Sequence, residues 1–91
     1  MVVIVLENVP KSLRGEISRW LFEVKAGVFT GKISALVRDD LWEHITEKVG
    51  EEGSALMIHS ANTEQGFRAR MAGERRRSLE DIEGVLLVKI Q

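Results

Sequence analysis

The chain has 91 residues, a length that suits one small domain covering residues 1–91. A hydrophobic fraction of 44% and a charged fraction of 30% are typical of a globular protein and exclude a disordered chain. The formal net charge of −1 gives no bulk attraction to nucleic acid, and the lack of cysteine excludes disulfides, thiolate metal sites and thiol catalysis. The apolar run at residues 2–6 is too short for a signal peptide or a membrane span, so we expect a soluble, cytoplasmic protein.

The first third of the sequence predicts a strand, a helix and a short strand. Residues 1–6 form a continuous, mostly β-branched run, which is typical of a strand buried on both faces. Pro10 suits the first turn of a helix, and apolar residues spaced by three and four extend that helix to Val24, before Gly27. Residues 28–30 then indicate a short strand. The apolar stripe of the helix consists of Leu13, Ile17, Trp20, Leu21 and Val24.

A second amphipathic helix is predicted in the middle of the chain. Ser34 is a suitable N-cap, apolar residues follow at intervals of four as far as Val49, and Gly50 is placed to end the helix. We interpret the large apolar side chains near these helices and the later strands as core residues: Trp20, Trp42, Met57 and Met71.

The rest of the sequence predicts three strands. Residues 55–60 are an apolar strand, and residues 67–71 alternate between apolar and arginine side chains, which is typical of a strand with two different faces. A charged loop at residues 73–79 precedes a last strand at residues 85–90. The element order predicts an α+β protein with a ferredoxin-like sandwich, in which two helices cover one face of a mainly antiparallel sheet. The last two strands exceed that minimal unit, so we expect them to pair at an edge or with a partner chain.

Charge is concentrated near the C-terminus. Residues 68–77 contain five arginines and one acid, Glu74. Guanidinium groups bind phosphate well because they offer two hydrogen bonds to one anion, so a phosphate-binding surface is one interpretation. The other is a solvated face that pairs with the acids at residues 80–83. The sequence alone does not separate the two.

Few residues offer chemistry. Glu7 follows the first strand, where it can cap the next helix or, duplicated across a two-fold dimer, hold Mg²⁺ or act as a base. His44 and His59 have no partner at ligand spacing, which argues against a zinc site. Without further information, a small regulatory domain that binds an anion or metabolite also remains open, although no pocket is indicated.

Three motifs in combination indicate a family. They are E-N-V-P at residues 7–10, E-V-K-A-G-V at residues 23–28 and N-T-E-Q-G-F at residues 62–67. With these motifs the chain closely resembles the second CRISPR-associated protein family, the small adaptation-complex subunit also called a CRISPR-associated endoribonuclease, in its type I-E subgroup. The resemblance implies a ferredoxin-like homodimer whose C-terminal strands extend or swap onto the partner's sheet. It also implies a role in spacer acquisition, in which the dimer bridges two dimers of the CRISPR integrase and binds the backbone of duplex protospacer DNA.

The resemblance also assigns residues. Arg14, Arg76 and Arg77 match DNA-contacting basic residues of the family, Lys11 and Arg38 are further candidates, and residues 78–91 match the part that docks on the integrase. Many relatives carry an aspartate at the end of the first strand and cleave RNA or DNA with a metal ion held across the dimer. This chain has Glu7 there, which resembles the type I-E subgroup that acts without nuclease chemistry. The alternative is a Mg²⁺-dependent endonuclease in which Glu7 of each protomer is both catalytic residue and metal ligand.

Overall fold

A computed structural model describes residues 1–73, and its strands form one antiparallel sheet in the order β2-β3-β1-β4-β5. The elements are β1 (Val2–Glu7), α1 (Lys11–Ile17), β2 (Phe22–Lys25), β3 (Val28–Gly31), α2 (Ala35–Lys48), β4 (Ser54–Ser60) and β5 (Phe67–Gly73). The first four strands have the ferredoxin-like order, and β5 extends the sheet beyond β4, so the predicted fold class is confirmed. The predicted strand at residues 85–90 and the loop beyond Gly73 lie outside the described residues.

Both helices pack against one face of the sheet. On β1, Val2, Ile4 and Leu6 are buried, and the side chains of Leu13 and Ile17 from α1 and of Leu41 and Ile45 from α2 join them in one core. Val3 and Val5 alternate with these residues and are only half-buried. The prediction that β1 is buried on both faces is therefore wrong, because none of the elements within residues 1–73 covers the second face.

The first helix is shorter than its apolar spacing predicts. It ends at Ile17, where the hydroxyl of Ser18 donates hydrogen bonds to the carbonyls of Arg14 and Gly15 and competes with continuation of the helix. Residues 22–25 instead form β2, which pairs with β3. Trp20 is 54% exposed and Val24 52% exposed, so the predicted core position of Trp20 is wrong and the strand β2 was missed.

The second helix agrees with its prediction. The Ser34 side chain accepts a hydrogen bond from the N–H of Val37, and α2 ends at Lys48. Trp42 is half-buried against the core and Met57 is fully buried. Met71 is also half-buried, but it lies opposite Leu56 on the sheet face away from the helices, so its predicted place in the core is wrong. Neither of the two helices described is long and apolar enough to span a membrane.

Candidate nucleic-acid interface

Arg14 is held in a defined position on α1. Its Nη2 donates a 2.8 Å hydrogen bond to Oε2 of Glu23 in β2, and the arginine side chain is 39% exposed. The N–H of Gly27 and the guanidinium of Arg14 hold the pKa of Glu23 below its ordinary value. The ion pair therefore persists at neutral pH, with both side chains partly exposed at the surface.

Lys11 shares the surface of α1 with Arg14. It is the first residue of the helix and is exposed. Residues three apart in a helix are neighbours on one face, so the structure brings the cations of Lys11 and Arg14 to the same side of α1. We call this pair the basic patch of α1.

Arg38 has a different environment on α2. Its side chain is 20% exposed, and its Nε donates a 3.0 Å hydrogen bond to Oδ1 of Asp39. Its Nη1 lies 3.3 Å from Nδ1 of His59 in β4, and Arg70 of β5 donates to the same Asp39 oxygen at 3.0 Å. Hydrogen bonds from Arg38 and from Arg70 hold the pKa of Asp39 below its ordinary value. Arg38 therefore joins α2 to the sheet, which leaves it less free than Lys11 to bind a ligand.

The histidines do not form a metal centre. His59 is buried, with Nδ1 2.9 Å from the carbonyl oxygen of Ser60. His44 on α2 hydrogen-bonds to Glu16 on α1, to which Lys48 also donates at 3.2 Å. Within residues 1–73 there is no group of three or more His, Asp or Glu side chains that could hold a metal ion. This link between the helices was not predicted from the sequence, although Glu16 and His44 lie in the two predicted helices.

Glu7 lies at the carboxyl end of β1 and is exposed. It does not cap α1, whose N-cap is Pro10 without a side-chain hydrogen bond. Instead its Oε1 accepts a 3.3 Å hydrogen bond from the hydroxyl of Ser54, its partner on β4. Because alternate residues of a strand share a face, Glu7 lies on the same sheet face as Val3 and Val5.

That sheet face, here called the open face, is largely apolar. Cross-strand partners in an antiparallel sheet share a face, so the register assigns its members. They are the apolar residues Val3, Val5, Phe22, Val28, Leu56, Ile58, Phe67, Ala69 and Met71 and the polar residues Glu7, Thr30, Ser54 and Ser60. Phe22 is 71% exposed. The alternation of residues 67–71 predicted the apolar face of β5, but the contribution of Phe22 was missed because β2 was read as helix.

The remaining residues that the resemblance assigns follow β5 in the sequence, and one family model matches most of the chain. Arg76, Arg77 and the segment 78–91 lie outside the described residues. A family model described as CRISPR-associated protein (Cas_Cas2CT1978) matches residues 1–87. The match includes all three motifs of the sequence analysis and confirms the family resemblance drawn from them.

Proposed function

The chain belongs to this family of CRISPR-associated proteins, and from that premise we propose that it acts in CRISPR adaptation as a homodimeric scaffold. In this role the dimer bridges two integrase dimers and binds the backbone of duplex protospacer DNA. The observation that carries the proposal is the family match over residues 1–87, which includes both the basic patch of α1 and the arginine-rich stretch at residues 68–77.

The open face supports the homodimer. A single sheet with helices on one side leaves the apolar side chains of Val5, Leu56 and Ile58 only half-buried and Phe22 mostly exposed. Exposed contiguous apolar surface of this kind marks an interaction site in a soluble protein. A second copy of the chain is the occupant we propose, because a two-fold contact places the same apolar patch on both sides. Pairing of the C-terminal strands with the partner's sheet is a further part of this proposal.

The basic patch of α1 supports backbone binding. Lys11 and Arg14 offer charged donors at the surface, and contacts to phosphate oxygens hold DNA without reading its sequence. Together with Arg76 and Arg77 they would supply four cations per protomer. Because the net charge of the chain is −1, we expect the isolated dimer to bind DNA weakly and the integrase to supply most of the attraction. Residues 78–91 are the proposed docking segment.

The test is a salt-titrated binding experiment with duplex DNA. The full chain is measured alone and mixed with its cognate integrase, and cleavage products are analysed in the same samples with Mg²⁺. We expect tight, salt-sensitive binding in the mixture and no cleavage by the chain. Arg76→Ala/Arg77→Ala is expected to weaken capture by the mixture. Unchanged capture by this variant at every salt concentration would show that the DNA surface has been assigned to the wrong residues.

The alternative function, a Mg²⁺-dependent endonuclease acting on RNA or DNA, has one structural observation in its favour. Glu7 lies on the open face, so stacking two open faces would place a Glu7 carboxylate from each protomer in the dimer interface. Proteins commonly bind Mg²⁺ through one or two carboxylates, and within the described chain Glu7 has only the Ser54 hydroxyl beside it. The donor set of one protomer therefore fits the ion only if the partner completes it.

The nuclease alternative has its own test. It predicts divalent-dependent cleavage that Glu7→Ala abolishes and that Glu43→Ala, a change of an exposed glutamate on α2, leaves intact. Cleavage that persists in Glu7→Ala would come from another site or from a contaminant, and the nuclease assignment to Glu7 would be withdrawn.

A further inference from the structure

Glu23 connects the β2–β3 hairpin to the basic patch of α1. Its Oε2 accepts two hydrogen bonds, one from the backbone N–H of Gly27 at 2.8 Å and one from Nη2 of Arg14 at 2.8 Å. Glu23 is the cross-strand partner of Phe29, a fully buried residue on the helix side of the sheet. The carboxylate therefore points towards α1 because of its position in the strand.

The hairpin that carries Glu23 is itself fixed to the centre of the sheet. The carbonyl of Gly27 accepts a 2.7 Å hydrogen bond from the N–H of Leu6 in β1. Gly27 has a φ of +80°, and a Cβ at this position would collide with the carbonyl oxygen of Leu6. A continuous series of contacts thus runs from β1 through Gly27 and Glu23 to the guanidinium of Arg14.

The contacts of Arg14 leave one part of its guanidinium available. Within residues 1–73, its Nε is buried without a hydrogen-bond partner, its Nη2 is bound to Glu23, and its Nη1 has no partner. Both side chains of this pair reach the surface, with an exposure of 39% for Arg14 and 28% for Glu23. An arginine side chain has many rotamers, and a buried Nε with a fixed Nη2 leaves few of them accessible.

We propose that Glu23 is a positioning residue for DNA binding, which holds the Arg14 guanidinium in the orientation that contacts a backbone phosphate. The inference rests on the proposed function, in which Arg14 binds DNA. Two effects of Glu23 on a phosphate are opposed: its charge repels the anion, while its hydrogen bond lowers the entropy that Arg14 loses on binding. Positioning is favoured because Oε2 of Glu23 is occupied by two donors, one of them the Arg14 guanidinium itself, and these donors offset the charge of the carboxylate.

The test measures duplex affinity against salt concentration for the full chain mixed with its cognate integrase. Glu23→Ala is expected to weaken binding about fivefold and to lower the salt slope, as Arg14→Ala does. Glu23→Gln keeps an oxygen acceptor for Gly27 and loses the charge, so we expect a weakening of about twofold and an intact fold by circular dichroism. In the Arg14→Ala background, Glu23→Ala is expected to have no further effect. Glu43→Gln removes an equal charge from an exposed position on α2 and serves as the matched control.

Each outcome decides between the two effects or between the two proposals. Tighter binding by Glu23→Gln than by wild type would show that Glu23 repels DNA, and would overturn the inference. A loss in Glu23→Ala that persists in the Arg14→Ala background would show that Glu23 acts through the general fold, and would also overturn it. If Arg14→Ala binds like wild type, the inference fails while the scaffold function stands. If the wild-type mixture does not bind DNA, the proposed function itself fails.

Discussion

Glu16 on α1 and His44 on α2 join the two helices through a direct hydrogen bond between Oε2 and Nδ1. A carboxylate can only accept, so Nδ1 of His44 carries the proton in this contact. Lys48, one helical turn further along α2, donates to the other oxygen of Glu16 at 3.2 Å. The two helices are therefore connected by a charged link in addition to their shared apolar core.

This link predicts a stability that depends on pH. The hydrogen bond to Glu16 raises the pKa of His44 above its ordinary value of 6.5, with Asp40 and Glu47 adding to the effect. Hydrogen bonds from His44 and then Lys48 lower the pKa of Glu16 below 4.5. A raised histidine pKa stabilises the fold below pH 6.5, and the contribution is lost as the pH rises through the folded-state value. A lowered carboxyl pKa stabilises above pH 4.5, and the contribution is lost as the pH falls through the folded-state value.

We therefore expect the stabilisation from this link to be greatest between pH 4.5 and 6.5. Urea unfolding of the wild type and of His44→Gln, measured across pH, gives the difference in the free energy of unfolding. That difference should be largest within the window and should shrink above it, although Lys48 keeps Glu16 paired at higher pH. A difference that does not vary with pH would show that His44 contributes through packing alone.

Replacement of Gly27 by alanine is expected to lower stability strongly. The same replacement at Gly50 measures the cost of the backbone conformation alone. Gly27 and Gly50 have similar positive φ values, +80° and +75°, but among residues 1–73 a Cβ at Gly27 would meet the carbonyl oxygen of Leu6, whereas a Cβ at Gly50 would meet no atom. Gly50→Ala is expected to cost about 1 kcal/mol from its backbone conformation. Gly27→Ala is expected to cost roughly 3 kcal/mol or more, because β1 or the hairpin has to move. Urea unfolding of both variants measures the difference, and equal costs would contradict the proposed collision.

The sequence alone was sufficient to predict α2, because its N-cap, its apolar residues at intervals of four and the glycine after it all indicate the same helix. It failed between Ser18 and Lys25, where Trp20, Leu21 and Val24 fit a helical stripe as well as they fit a turn followed by an edge strand. Pairing with β3 makes that segment a strand. Strand pairing is a long-range interaction, so the local spacing of apolar residues does not reveal it. The misassigned helix also concealed Glu23, whose direction towards Arg14 follows only from its register opposite Phe29.

For the candidate site, the sequence named the basic residues but did not predict the contacts that they make within the fold. The family resemblance assigned Arg14 and Lys11 as candidates for DNA binding, which stays a prediction, and the structure places these two on one side of α1. Arg38 came from the same reasoning, but its contacts to Asp39 and His59 depend on how α2 packs on β4 and β5. No sequence spacing predicts those contacts, so its structural role was not foreseen.

Arg38 should therefore behave differently from Arg14 when it is replaced. Arg38→Ala removes the hydrogen bond to Asp39 and the contact with the buried His59, and we expect a loss of roughly 1 kcal/mol in the free energy of unfolding. Arg68→Ala, at an exposed position of β5, removes the same charge and should change stability by less than about 0.5 kcal/mol. Thermal unfolding of the two variants is the measurement. If Arg38→Ala weakens DNA binding without loss of stability, Arg38 is a DNA contact and its link to the sheet is secondary.

The proposed dimer predicts that polar substitution of the open face separates the protomers. Phe22 is 71% exposed, so Phe22→Lys should leave the protomer folded and raise the dimer dissociation constant at least about tenfold, as loss of an aromatic interface residue commonly does. Ile58→Lys, nearer the middle of the face, should have a larger effect. Leu36→Lys, at an 80% exposed position on α2, is the matched control and should leave the dimer intact.

Light scattering over a range of protein concentrations gives the mass of each variant, and circular dichroism checks that it is folded. Folded dimers in both open-face variants would exclude this face as the interface and would place the contact between protomers elsewhere on the chain. Monomers in both, with a dimeric Leu36→Lys, would support stacking of the two open faces. Because Glu7 shares that face with Val3 and Val5, the same result would place both Glu7 carboxylates in the interface and make Glu7→Ala the next variant to measure.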